Sequence, residues 1–430
     1  MLIVGGRVID PASGLDRVAD VRLRDGRIAA IAPGLAPEGG ETVLEARGRL
    51  VLPGFVDLHC HLGEPGHEDR ETLASGTRAA AAGGFTTVCC MGDTTPRLDT
   101  GAELAALRAR AAETAVVRVL PIGCLTRGRD GTELAELAEL AQAGAVAFSD
   151  DPRPVRSSRL LRHALAYSAM LGRPVVEHAV DPDLAEGGLA HEGRVATWLG
   201  LPGVPAAAEE IAVARAIALA RLTGGRLHLA HLSTAGAVAQ VRAARAEGLA
   251  VTAEVSPLHL LLDEESVGSG PGGRPYDTST RLDPPLRSAA DAAALRGGLA
   301  DGTLAAIATD HRPQRAVDKD CEYAYAAPGA TGLETAFGAA MELVAAERLS
   351  LMTALRALTS GPAAAFGLEA GRLAVGGPAD LVIADADAIR TVEPSRFHSR
   401  GKSTPLAGRT LRGCVLATLV GGAIMHREGI

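Results

Sequence analysis

The feature that most constrains this chain is a regular alternation of short apolar runs and alanine-rich helical segments through its middle. Eight β-branched or apolar runs are present, at 55–59, 85–91, 116–122, 145–149, 174–178, 226–231, 250–255 and 305–309. Helix-compatible segments separate them, for example 70–82, 101–114, 155–171, 206–222 and 289–299. Eight strand–helix units predict an α/β fold of the (β/α)8 TIM-type barrel class. A doubly wound sheet is the alternative, but the first run ends in His59-Cys60-His61 rather than a glycine-rich phosphate loop.

The two ends of the chain differ from this middle and have the pattern of short strands. Candidate strands lie at 2–9, 20–24, 27–31, 379–384 and 410–420, with turns at Asp25-Gly26 and Gly421-Gly422. We therefore predict a small β-sandwich domain formed by both termini, residues 1–52 plus 370–430. The barrel would occupy residues 53–369. Two long loops after the last two barrel strands, 263–281 and 312–332, are predicted to cover its mouth.

Composition excludes several classes of protein. The chain has 430 residues, 47% of them hydrophobic, which is enough for a large core and excludes a wholly disordered chain. A formal net charge of −8 without a basic block argues against nucleic-acid binding. No apolar run reaches the roughly 18 residues of a membrane span, and the start lacks a charged signal peptide. The six cysteines lack paired spacing, which predicts free thiols in a reducing compartment, so we expect a cytoplasmic protein.

Polar residues with metal-binding chemistry occur at or near the carboxyl ends of the predicted barrel strands. They are His59, His61, Asp150, Asp151, His178, His231 and Asp310. In a barrel these ends converge on one face, so residues far apart in sequence could surround one point. Imidazoles and carboxylates together suit zinc or a similar divalent ion. His228 has the strand parity opposite to His231, and we predict that it faces the helices as a structural residue.

The scarcity of lysine limits how two ions could be bridged. Some two-metal barrels use a carboxylated lysine after the fourth strand, but the only lysines here, Lys319 and Lys402, lie far from it. A carboxylate must bridge instead, and the spacing leaves both Asp150 and Asp151 open. Two divalent ions would activate a water and polarise a carbonyl. Asp310 could carry the proton from that water to a leaving amide nitrogen, which predicts hydrolysis of an amide or imide.

A series of motifs resembles the amidohydrolase superfamily in its dihydroorotase branch, the class I type with a bridging aspartate. The matching stretches occur in the same order along the chain, at 53–62 with 64–66, and at 83–88, 148–151, 231–234, 284–287, 308–311 and 332–335. The resemblance implies two zinc ions per chain, one held by His59, His61 and Asp310 and the other by His178 and His231. It also implies that Asp151 bridges the ions and that Asp310 is catalytic.

The residues that would hold the substrate depart from this pattern. By resemblance, the substrate carboxylate is held by an arginine, an asparagine and a histidine, but their positions here carry Gly63, Asp93 and Gln314. A further asparagine position carries Asp283. Arg97, Arg281 and Arg312 adjoin the altered motifs and could compensate, with Arg312 the best placed. The predicted substrate-binding set is His61, Gly63, Asp93, Asp283, Arg312, Gln314, Pro328 and Gly329.

Three functional hypotheses follow. The first is a dihydroorotase, which reversibly opens dihydroorotate to N-carbamoylaspartate in pyrimidine biosynthesis. The second is a cyclic amidohydrolase for another ring, such as a hydantoin or a dihydropyrimidine. The third is a weakly active or non-catalytic homologue that binds a carbamoyltransferase partner, although retention of every metal ligand argues against an idle site. For an active enzyme we expect a small cyclic amide as substrate, no nucleic-acid or membrane partner, and a homodimer.

Overall fold

The middle of the chain forms the predicted barrel. A computed structural model describes residues 1–269 and 273–429. Eight parallel strands follow one another around the barrel in chain order. They are Phe55–Cys60, Phe85–Cys90, Arg118–Gly123, Ala147–Phe148, Val175–Glu177, Leu227–Leu229, Val251–Val255 and Ala306–Ile307. A bridge between Cys60 and His311 joins the last strand's exit to the first strand. Because the strand order never reverses, the doubly wound alternative is wrong.

Helices surround the strands, and they begin where the sequence supplies caps. The longer helices are Leu73–Ala82, Gly101–Thr114, Leu137–Ala143, Ser158–Leu171, Ala206–Thr223, Ala235–Ala246, Ala289–Ala300, Ala336–Ala345, Leu351–Leu358 and Ser360–Phe366. The side chains of Thr72 and Ser288, each just before a helix, accept a backbone N–H in a capping box. Short helices occupy the loops, at Arg127–Arg129, Pro182–Ala185, Arg194–Leu199, Pro257–Leu261, Glu265–Ser269, Thr278–Thr280, Ala316–Asp318 and Pro394–Arg396.

Strands from both termini form a second sheet beside the barrel, as the sequence predicts. They are Leu2–Asp10, Leu15–Arg24, Arg27–Ala32, Val43–Glu45, Leu50–Pro53, Leu381–Thr391, Thr410–Val420 and Ala423–Arg427. Leu50–Pro53 joins the two halves, since it pairs in parallel with Leu2–Asp10 and antiparallel with Leu381–Thr391. Inward side chains of both halves enclose a core of their own, which includes Ile3, Val51 and Leu419. A two-stranded ribbon, Ala190–His191 with Gly203–Val204, lies in a barrel loop.

The barrel interior is packed at its amino-terminal end, which leaves the carboxyl-terminal end for the polar residues. Ala363 and Phe366 of the helix Ser360–Phe366 pack with interior residues such as Val56 and Val176. This helix lies at the strand starts, because Arg226 donates to Ala365 O at 2.8 Å. The face at the opposite end is therefore where the functional side chains converge.

The orientation predicted for His228 is wrong. Leu227 and Leu229 pack toward the helices, so His228 between them points into the barrel, where its ring centroid lies 5.0 Å from that of Phe366. The sixth strand ends at Leu229, and His231 has a left-handed φ of 34°. Strand parity counted back from His231 therefore does not apply across this turn.

Three further findings concern a loop, the helices and the cysteines. The predicted mouth loop 263–281 includes 270–272, which lie outside the described residues. Among the helices that the structure describes, none has the length and apolar character needed to cross a bilayer. All six cysteines are free thiols.

Candidate metal centre

Asp151 lies at the centre of four histidines. Its Oδ1 is 3.2 Å from His59 Nε2 and 3.5 Å from His61 Nε2. Its Oδ2 is 3.1 Å from His231 Nε2 and 3.4 Å from His178 Nδ1. All five residues are buried. The carboxylate is thus shared by two groups of ligand atoms, His59 with His61 and His178 with His231, and within each group the atoms lie within 4.8 Å of one another.

The neighbouring histidines determine the charge state of this carboxylate. Burial alone would raise the pKa of Asp151, but the charge of His59 and hydrogen bonds from His178 and His231 outweigh it. The pKa of Asp151 therefore lies well below its usual value. An ionised carboxylate flanked by imidazole nitrogens is the donor set expected for one or two divalent cations.

Asp150, the other bridging candidate, points away from the histidines. Its Oδ1 accepts the backbone N–H groups of Leu125 at 2.9 Å and Thr126 at 3.0 Å, and its Oδ2 accepts the Thr126 hydroxyl. Asp150 therefore fixes the loop after the third barrel strand, while Asp151 faces the histidines. The spacing argument could not separate these two residues.

Asp310 lies beside the same cluster. Its Oδ1 is 3.8 Å from His59 Nε2, and its side chain is 14% exposed. Asp310 has a φ of 47°, a conformation that costs energy for a non-glycine residue and is typical of functional sites. Buried Asp57 supports this turn by accepting Thr309 N at 2.8 Å and Thr309 Oγ1 at 2.6 Å. Burial raises the pKa of Asp57 to about 7.

A buried carboxylate outside the cluster orients His59. Glu254 Oε1 lies 2.9 Å from His59 Nδ1, and Glu254 Oε2 lies 3.1 Å from His228 Nε2. His228 Nδ1 is in turn 2.8 Å from Thr252 Oγ1. Because a carboxylate only accepts, Nδ1 of His59 donates its proton to Glu254, and Nε2 is the nitrogen that faces Asp151 and is placed to bind a cation. Burial opposes ionisation of Glu254, but the two histidines lower its pKa to about 2.

His61 gives the clearest indication that a cation belongs here. Neither of its buried ring nitrogens makes a hydrogen bond within the described part of the chain. Nε2 faces Asp151, and Nδ1 lies 3.0 Å from Asp93 Oδ2. An imidazole held between two carboxylates with an unsatisfied nitrogen fits a metal ligand whose other nitrogen faces an acidic partner.

The turn that carries His231 is held by Glu209 of the helix Ala206–Thr223. The Glu209 carboxylate accepts the backbone N–H groups of Ser233, at 3.0 Å, and Thr234, at 2.9 Å. It also accepts both hydroxyls of these residues. Arg287 Nε donates to Ser233 Oγ at 3.1 Å. This network fixes the backbone next to His231.

Two cavities adjoin the cluster, and six of the eight predicted substrate residues line one or the other; Pro328 and Gly329 line neither. A cavity of about 280 Å³ is lined by His178, His231, Asp283, Arg281 and Arg287 among others. A narrow cavity on the other side is lined by His61, Gly63, Arg70, Asp93, Arg312 and Gln314 among others. Asp283 Oδ1 lies 4.0 Å from His178 Nε2. The altered positions therefore surround the cluster.

Three of the predicted substrate residues have local backbone contacts. Gln314 Nε2 donates to Pro328 O at 2.9 Å, and Gly329 N donates to Arg281 O at 3.0 Å. The first bond lies within the loop after the eighth strand, and the second links that loop to the loop after the seventh. The Gln314 side chain makes no contact with the four histidines among the contacts that the structure describes.

Sequence reasoning missed the layer of acids behind the cluster, chiefly Glu254, Asp57 and Glu209. A signal was present for two of them. Glu254 and Asp57 stand inside apolar barrel strands, where a charge is rarely buried without a partner. Glu209 has no such signal, because it lies in the first turn of a helix, where an acidic residue is common.

Comparison with known proteins agrees with this geometry. The profile of the family described as Dihydro-orotase-like matches residues 48–237. A dihydroorotase of Anaeromyxobacter sp. (strain K) is 52% identical over 429 residues, which are 100% of this chain and 98% of the relative. A dihydroorotase of Pelotomaculum thermopropionicum is 49% identical over 431 residues, 100% of this chain and 99% of the relative. The chain belongs to the dihydroorotase family.

Solved structures with the same fold include a hydantoinase and a dihydropyrimidinase. The L-hydantoinase (dihydropyrimidinase) of Arthrobacter aurescens matches with a TM-score of 0.89 and 26% identity, over 100% of this chain and 96% of that one. The dihydropyrimidinase of Brevibacillus agri matches with a TM-score of 0.85 and 25% identity, over 99% and 95%. The barrel with its terminal β domain is therefore shared with enzymes of this kind.

Proposed function

We propose that this protein is a zinc-dependent dihydroorotase that reversibly opens dihydroorotate to N-carbamoylaspartate. The observation that carries the proposal is the arrangement of four buried histidine nitrogens around Asp151, with Asp310 beside them. Full-length relatives named dihydroorotase support the substrate.

The residues present fit two divalent ions. His59, His61 and Asp310 would hold one, His178 and His231 the other, and Asp151 would be shared by both. The unsatisfied nitrogens of His61 and the buried, ionised Asp151 both favour this assignment. Bound zinc would lower the pKa of a water and polarise the ring carbonyl.

The chemistry of the chain itself then centres on Asp310. Its carboxylate takes the proton from the attacking water and returns it to the amide nitrogen as the ring C–N bond breaks. In the reverse direction the same carboxylate removes a proton from the carbamoyl nitrogen before ring closure. Asp57 and Thr309 hold the Asp310 backbone in position for both steps.

One observation favours a second candidate, a cyclic amidohydrolase for an uncharged ring. Two acids, Asp93 and Asp283, lie next to the histidines, and the solved relatives named above act on hydantoins or dihydropyrimidines. A weakly active or non-catalytic homologue that binds a carbamoyltransferase partner is less favoured, because all six residues that would hold metal are present. A homodimer remains an expectation for either enzyme.

Purified protein of known metal content, assayed with dihydroorotate, hydantoin and dihydrouracil, tests the proposal. We expect about two zinc ions per chain and turnover of dihydroorotate at ordinary enzyme rates. An Asp310→Asn variant, compared with the wild type at equal metal content, should lose at least about 100-fold in kcat, since general acid–base catalysis contributes about 10²–10⁴-fold.

Other outcomes separate the alternatives. Turnover of only the uncharged rings would establish the second candidate instead. Two bound metals without turnover of any ring, together with co-purification of a carbamoyltransferase, would favour the partner role.

A further inference from the structure

At the positions where the family pattern holds the substrate carboxylate, this chain has no cationic side chain that could pair with it. This inference rests on the proposed function, because dihydroorotate carries that carboxylate and dihydrouracil, with the same ring, does not. A buried anion requires a charged hydrogen-bonding partner. Position 63 cannot provide one. Gly63 has a φ of +69°, and a Cβ there would lie 2.7 Å from Glu71 O and 2.8 Å from His67 O.

Four arginines line the two cavities that adjoin the metal centre. They are Arg70, Arg281, Arg287 and Arg312. One of these arginines already has hydrogen-bond partners within the protein. The guanidinium of Arg287 donates to Ser233 Oγ at 3.1 Å and to Val204 O at 2.6 Å, and it also lies 3.3 Å from His191 Nδ1. Arg287 therefore braces the turn next to His231.

Arg281 is held by the backbone around it. Its Nη atoms donate to the carbonyl oxygens of Leu189, Leu282 and Gly188, each at 3.3 Å. Its own carbonyl accepts Lys319 Nζ, also at 3.3 Å. Its guanidinium would have to leave these carbonyl groups to bind a ligand.

The guanidinium groups of Arg70 and Arg312 make no hydrogen bond or ion pair within residues 1–269 and 273–429. Their surroundings differ. The charge of Arg70 acts on Asp318, a surface acid that is paired with Arg315. The charge of Arg312 acts on Asp93 and His178, one on each side of the metal centre. Of these two arginines, Arg312 also stands two residues after Asp310, which lies beside the metal centre.

The backbone holds Arg312 in place while its side chain stays free. Arg312 N donates to Ala330 O at 2.9 Å. A Cβ on Gly329 would lie 2.6 Å from Arg312 O and 3.0 Å from its Cβ, so the loop can pack against Arg312 only with glycine at 329. Half-buried Arg312 lines the same cavity as Gly63. A cation is thus present on the side of the metal centre where position 63 provides none.

The acid that shares this cavity already has a partner. Asp93 Oδ2 lies 3.0 Å from His61 Nδ1. Its backbone carbonyl also accepts Arg97 Nη1 at 2.7 Å, which occupies Arg97. Arg312 is therefore not neutralised by a direct ion pair with Asp93.

We propose that Arg312 binds the carboxylate of the substrate and that selection of a carboxylated ring over an uncharged one depends on it. The guanidinium replaces, from the loop after the eighth strand, a cation that position 63 in the loop after the first strand cannot carry. Arg312 is thus a specificity residue and takes no part in proton transfer.

Kinetics of the zinc-loaded enzyme with dihydroorotate and dihydrouracil test this proposal. We expect Arg312→Gln to raise KM for dihydroorotate about 30-fold or more, the lower end of the range for losing one partner of a buried charge pair. The kcat/KM for dihydrouracil should stay the same or rise. Arg312→Lys should recover part of the loss. Arg315→Gln, three residues along and paired with Asp318 on the surface, is the matched control and should match the wild type.

Calorimetric binding of N-carbamoylaspartate gives a readout that does not depend on turnover. Arg312→Gln should weaken this binding by a similar factor and leave N-carbamoyl-β-alanine, which lacks the second carboxylate, unaffected. Equal effects on both ligands, or a larger effect of Arg70→Gln or Arg281→Gln, would overturn the role of Arg312. Those results leave the proposed function intact, whereas a wild-type enzyme that binds two zinc ions and fails to convert dihydroorotate overturns that function itself.

Discussion

At the scale of single residues, the contact between Asp93 and His61 gives a role to the acid that stands where the family pattern has an asparagine. An acid at this position would be expected to repel an anionic substrate. In the structure its carboxylate faces the ring nitrogen of His61 that points away from Asp151, at 3.0 Å. It can therefore orient the imidazole and increase its basicity toward a cation.

The Asp93→Asn variant tests this role. We expect zinc affinity to fall about 10- to 100-fold, the usual effect of losing such a partner of a ligating histidine. Competition with a chromogenic chelator measures it directly. Asp99→Asn, six residues along, is the control, because Asp99 contacts the backbone N–H of Gly128. Unchanged zinc affinity in Asp93→Asn would leave Asp93 without a part in metal binding.

The sequence pattern predicts which residues stand at the strand ends. It does not predict where side chains point in the turns and loops that follow the strands. The pattern located His59, His178, His231 and Asp310 because parallel strands bring their carboxyl ends together. It failed for His228, whose direction depends on a turn with a positive φ at position 231. It also could not show that Asp93 faces His61, since that contact depends on loop geometry between two strands.

At the scale of elements, one helix controls a turn in another part of the barrel. Glu209, near the start of Ala206–Thr223, accepts four hydrogen bonds from Ser233 and Thr234. Thr234 in turn caps the helix Ala235–Ala246 by accepting the Ala237 N–H. The position of His231 is thus fixed by two helices rather than by its own strand.

Removal of this carboxylate should weaken both the fold and the metal centre. For Glu209→Ala we expect a loss of about 3 kcal/mol in the free energy of unfolding, since buried donors lose a charged acceptor. Binding of the zinc ion that His178 and His231 would hold should also weaken. Urea unfolding and zinc titration measure the two effects. Glu210→Ala on the same helix should change neither, and an equal loss in both variants would mean that helix propensity, not the turn, is responsible.

The eight barrel strands were predictable as elements because each is a short apolar run between helix-forming segments. Their lengths were less so. The fourth and eighth strands have only two residues each, Ala147–Phe148 and Ala306–Ile307, because the chain leaves the sheet to bring Asp151 and Asp310 to the mouth. Hydrophobicity alone gives no sign of that early exit.

At the scale of the whole molecule, metal binding should contribute to stability. Asp151 and its four histidines are buried in the barrel, and an ion that binds only the folded chain stabilises it by mass action. Removal of metal by a chelator should lower the melting temperature, with about 4 kcal/mol lost if free zinc had been about 1,000 times Kd. Calorimetry before and after chelation measures this. Zinc should restore the transition and magnesium should not, because imidazole ligands suit zinc. An unchanged transition would contradict a structural contribution from the ions.

The strand Leu50–Pro53 has a consequence for biosynthesis. Its antiparallel neighbour, Leu381–Thr391, is encoded near the other end of the chain. At roughly 5–20 residues per second, translation takes about 15–65 s to deliver that neighbour. During this interval the amino-terminal strands present an open edge of the kind that invites aggregation. Chaperones that shield nascent polypeptides on the ribosome should therefore raise the yield of folded protein. The increase should exceed what the free energy of unfolding of the finished protein would predict.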